Sequence, residues 1–61
     1  MTTEQRSQLE HLLNNMAHNS IALIDLSNEV FHEDGRACNT LRMAVEQNER
    51  TIAILETLIQ A

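Results

Sequence analysis

The chain has 61 residues, with nine acids against four arginines for a formal charge of -5, and it lacks lysine, tryptophan, tyrosine and proline. Its single cysteine excludes an internal disulfide, no Cys/His spacing fits a structural zinc site, and the longest apolar run, Ile21 to Ile24, falls far short of the ~20 residues a bilayer crossing needs. A chain this short buries only about 60% of its unfolded surface, so without a staple or metal the expected remedy is oligomerisation.

The start, Met-Thr-Thr-Glu, has no basic segment followed by an apolar run, so no signal peptide is expected. Together with one unpaired cysteine this reads as a complete small cytoplasmic gene product, of the size common in phages and plasmids. Thr2 and Gln5 fit a capping box that opens helix 1. Its apolar stripe runs Leu9, Leu13, Met16, Ser20, Leu23, Ser27, Val30, thickened by Leu12, Ala17, Ile24, Leu26 and Phe31. Steps alternate between three and four, which is heptad spacing. Ser27 and Asn28 are where this helix could bend or end early. His32-Glu33-Asp34-Gly35 predicts a stop, with Gly35, the only glycine, in a left-handed conformation and Asp34 capping helix 2. The second stripe runs Cys38, Leu41, Val45, Asn48, Ile52, Leu55, Ile59, thickened by Ala37, Ala44 and Leu58.

The expected fold is therefore all-α. One domain, residues 1–61, forms an antiparallel helical hairpin with helices at about 3–32 and 36–60 and a hinge at Gly35. Placing the hinge near position 34 makes facing positions sum to about 68, so Ser20 meets Asn48 with Asn19 beside them as one polar core layer. A polar residue at such a position costs stability and selects register and partner number. Two helices cannot enclose a core. Ile21, Ile24, Phe31, Met43 and Ile54 lie beside or away from the seam and are the expected oligomer interface, most simply in a four-helix bundle of two hairpins, or in a higher oligomer.

His11, His18 and His32, with Asp25, recur at multiples of seven on the outer side of helix 1. Neighbours seven apart are about 10.5 Å apart along the axis, too far to share one ion. Glu29 and His32 have a Glu-x-x-His spacing, but sit on the outer face near the hinge, opposite Asn39. No metal or other cofactor is expected. Cys38 lies on the apolar stripe and reads as a small buried hydrophobe. Glu46 and Arg50 form a surface pair at four apart, and Arg36, Arg42 and Arg50 could make anion contacts if symmetry gathers them from several chains.

No Ser-His-Asp order, phosphate loop or carboxylate cleft can be built on two helices with one glycine, so an enzyme is not expected. The expected function is that of a small acidic helical oligomer that binds and regulates or inhibits another macromolecule, a protein with a basic surface, besides itself. In size and two-helix plan the chain resembles the Rop family of plasmid copy-number regulators, whose dimeric four-helix bundle binds paired RNA loops. That resemblance implies the alternative of an RNA-binding regulator. The family reads RNA with a basic and aromatic face of its first helix, whereas residues 1–33 of this chain have one arginine, three histidines and five acids (Glu4, Glu10, Asp25, Glu29 and Glu33). Phosphate contacts supply much of the affinity for nucleic acid, so this departure argues against nucleic acid. A third expectation is a small-ligand sponge with pockets between subunits, lined by arginines and asparagines.

Overall fold

The computed structural model describes residues 1–60, and these form two packed α-helices. Helix α1 spans Thr3–Val30 and α2 spans Gly35–Gln60. They lie side by side in a rod whose Cα atoms extend 47 × 15 × 11 Å. No helix among the described residues is long and apolar enough to cross a membrane.

Helix α1 starts with the capping box that its sequence predicts. The Gln5 amide donates to Thr2 Oγ1 (3.0 Å), and the Thr2 amide donates to Gln5 Oε1 (2.9 Å). Two of the helix's orphan donors are thereby satisfied. The helix then runs unbroken through Ser27 and Asn28. Ser27 does not break it because its hydroxyl donates to the Ile24 carbonyl one turn back (2.7 Å) and so needs no other partner in the seam.

The hinge differs from the expectation in two ways. Helix α1 ends at Val30 rather than at 32, and the Val30 carbonyl accepts from the amides of both Glu33 (3.1 Å) and Asp34 (2.8 Å). This tight turn needs no left-handed residue: among the described residues none has positive φ. Gly35 is therefore not a left-handed terminator; it is the first residue of α2. Asp34 caps that helix as expected, its Oδ1 accepting from the Ala37 amide (3.0 Å) while its carbonyl accepts from Cys38 (3.0 Å).

The seam follows the two heptad stripes. On α1 every stripe residue from Leu9 to Val30 is shielded, and on α2 every one from Cys38 to Ile59. The most deeply buried are small: Cys38 and Ser27 at 1% exposure and Ser20 at 2%. Larger seam residues such as Leu23, Val45 and Leu55 are only partly covered, because a single neighbouring helix shields one side of each. The Ser20–Asn48 pairing fixes the register at the expected sum of 68. At the open end Arg6, which continues the α1 stripe one step before Leu9, reaches across to the Ile59 carbonyl (2.9 Å).

Candidate interaction surfaces

The polar layer is built by one amide. Asn48 Nδ2 donates to Ser20 Oγ (2.6 Å) and to the Met16 carbonyl (2.8 Å). The second bond reaches the backbone of the opposite helix, which requires close approach; a serine at position 20, almost fully buried, permits it. Among the described residues no buried side-chain polar atom lacks a partner. Asn19, expected beside this layer, is exposed and turned out of the seam, one position round the helix. The structure thus brings Ser20 and Asn48 together and leaves Asn19 on a flank.

Successive helical residues are rotated by about 100°, so the positions just outside the seam sort onto two flanks. One carries Glu10, Ala17 and Ile24 from α1, Phe31 just past its end, and Arg42, Glu49 and Glu56 from α2, and is acidic. Arg42 places its guanidinium 5.4 Å from the Phe31 ring centroid, a cation–π contact that ties the two helices near the hinge. Toward the open end this flank holds a groove of about 430 Å³, with Leu13, Ala17, Ile52 and Ile59 as apolar lining and Glu10 and Glu56 as its carboxylates. The other flank carries Leu12, Asn19 and Leu26 from α1 and Ala37, Ala44, Thr51 and Leu58 from α2. None of these seven is charged. Leu12, Leu26 and Leu58 stand 57%, 44% and 49% exposed.

The five residues expected to form an oligomer interface are all exposed, but they do not share a face. Ile21, Ile24 and Phe31 border the acidic flank. Ile54 borders the uncharged one, and Met43 points away from the seam on the line of Arg36 and Arg50. One partner hairpin cannot cover all five.

The arginines are likewise dispersed. Arg50 pairs with Glu46 (2.7 Å) on the exposed surface, as its spacing predicts, and Arg42 is on Phe31. Arg36 lies 14 residues before Arg50, roughly 21 Å along the helix, and Arg42 lies on a different side of it. Among the described residues, no three His, Cys, Asp or Glu side chains converge as metal ligands. His32 packs edge-on against Phe31, ring centroids 4.8 Å apart. The cross-helix bond of Arg6 is not among the expected contacts. The position of Arg6 seven before Leu13 was the available signal, since it places the side chain on the seam line. Comparison of the chain with protein-family models, curated proteins and solved structures gave no match.

Proposed function

We propose that this chain is a non-catalytic binding protein that assembles as a dimer of hairpins, a four-helix bundle, and regulates or inhibits a protein with a basic surface. The observation that carries the reading is the acidic flank. A groove with an apolar lining and carboxylates from Glu10 and Glu56 suits a helical segment with one apolar and one lysine- or arginine-rich face. The hydroxyls and thiol that could act as nucleophiles in the seam are enclosed: Ser20, Ser27 and Cys38 are at most 2% exposed, and both serine hydroxyls are engaged in hydrogen bonds. A buried unpaired thiol suits a reducing cytoplasm.

Fluorescence anisotropy with a labelled lysine–leucine amphipathic peptide tests the groove. Binding should weaken at least tenfold on Glu10→Gln with Glu56→Gln, and rising salt should weaken it further. Equal binding of an acidic peptide, or no effect of the double substitution, would remove this reading. Tighter binding of a structured RNA than of the peptide would favour the RNA-regulator alternative instead.

A further inference from the structure

We infer that the uncharged flank is where a second copy of this chain docks, around a two-fold axis through Asn19 and Thr51 that places the two hinges at opposite ends of the bundle. The inference rests on the dimer in the proposed function and not on the acidic groove. Three observations carry it.

The first is surface area. A compact chain of 6.9 kDa is expected to expose about 4,000 Å². This hairpin exposes 4763 Å². The excess is close to the roughly 800 Å² that one partner buries in a standard interface. A flank 47 Å long and 15 Å wide supplies about 700 Å² per copy, enough for such an interface.

The second is charge. Each copy carries a formal charge of -5, so copies repel except where a face without charge lets them approach. The acidic flank would set Glu10, Glu49 and Glu56 of one copy against the same residues of the other unless they were staggered. The other flank carries no charge from Leu12 to Leu26 or from Ala37 to Leu58.

The third is self-complementarity, which a two-fold interface demands. Leu12 and Leu26 stand seven residues either side of Asn19, and Ala44 and Leu58 stand seven either side of Thr51. Asn19 and Thr51 lie within about 3 Å of the same height along the rod, given the Ser20–Asn48 register and the rise per residue. An axis through them sets each Leu12 on the second copy's Leu26 and each Leu58 on its Ala44, large against small. It also keeps the hinge acids Glu29, Glu33 and Asp34 of the two copies a rod length apart. The arrangement with both hinges at one end would gather these six carboxylates together.

Sedimentation equilibrium of the full chain should give twice 6.9 kDa at tens of micromolar. Leu26→Glu, at a position exposed in the hairpin, should raise the dimer dissociation constant at least about 100-fold by placing a charge against Leu12. Ile24→Glu, on the acidic flank, should change it less than about threefold, as other surface substitutions do. A monomeric native chain would overturn both this inference and the dimer of the proposed function. A dimer that dissociates with Ile24→Glu and survives Leu26→Glu would overturn the flank assignment alone. Oxidative cross-linking tests the axis, and keeps the test decisive if Leu26→Glu fails to fold. Asn19→Cys should form a covalent dimer by itself, the buried Cys38 being out of reach. If it cross-links only when mixed with Thr51→Cys, the hinges lie at the same end and the proposed axis is wrong; if neither links, the flank is not the interface.

Discussion

Asn48 and Ser20 allow the register of the hairpin to be measured as a free energy. Asn48→Ala removes two hydrogen bonds across the seam, one to Ser20 Oγ and one to the Met16 carbonyl. Each is worth about 1 kcal/mol net, and alanine's better helix propensity returns roughly 0.5 kcal/mol, so the variant should lose about 1.5 kcal/mol. Ser20→Ala removes only one of the two bonds and gains a similar propensity, for a loss of about 0.5 kcal/mol. Once Asn48 is gone the serine has no cross-helix partner, so adding Ser20→Ala should cost nothing more and recover some propensity. The double-mutant cycle then isolates a coupling of about 1 kcal/mol, with the propensity terms cancelling. Thermal melts followed by circular dichroism, at one fixed protomer concentration, suffice. A loss of 1.5 kcal/mol corresponds to a midpoint lowered by about 6–12 °C for a domain of this size. A coupling indistinguishable from zero would refute the pairing of positions 20 and 48, and with it the whole register.

Two further outcomes follow from the hinge and the seam. Gly35→Ala should raise stability by about 0.4–1 kcal/mol in the same melts, because the position is helical, its φ is not positive and an added Cβ meets nothing within 4 Å. Cys38→Leu should lower it by about 1–3 kcal/mol through overpacking, since Cys38 is only 1% exposed; a neutral result would mean that the hinge end is loosely packed.

The seam was legible because both helices keep steps of three and four over three heptads, so a misplaced stripe would have exposed leucines and buried histidines. Even Ser20, Ser27 and Asn48 fell on it by spacing alone, against their polarity. Ser27 looked like a place to break the helix; what the sequence did not state is that its hydroxyl returns to the Ile24 carbonyl and so tolerates burial. Gly35 was misread for a related reason. A lone glycine suggests a left-handed terminator, yet the Val30 carbonyl accepts two amides and closes the turn without one. Spacing says less about the expected interface residues. Ile21, Met43 and Ile54 were grouped because each lies off the seam, but being off the seam covers about three quarters of a helix circumference, and the angle of each residue decides which partner it can meet.

The seam contacts also set an order of assembly for the chain. With facing positions summing to 68, the sequence separation between partners grows steadily from the hinge outward: Asp34 caps within four residues, the Ser20–Asn48 bond spans 28, and Arg6 to Ile59 spans 53. Closing a loop costs entropy that rises with the logarithm of its length, so each pairing is cheapest once the one inside it has formed. The hairpin therefore closes like a zipper from Asp34, with the polar layer as a latch at mid-length. By the same reckoning Arg6 is expected to fasten last and release first, so the amides of the open end should exchange with solvent before those of the hinge half.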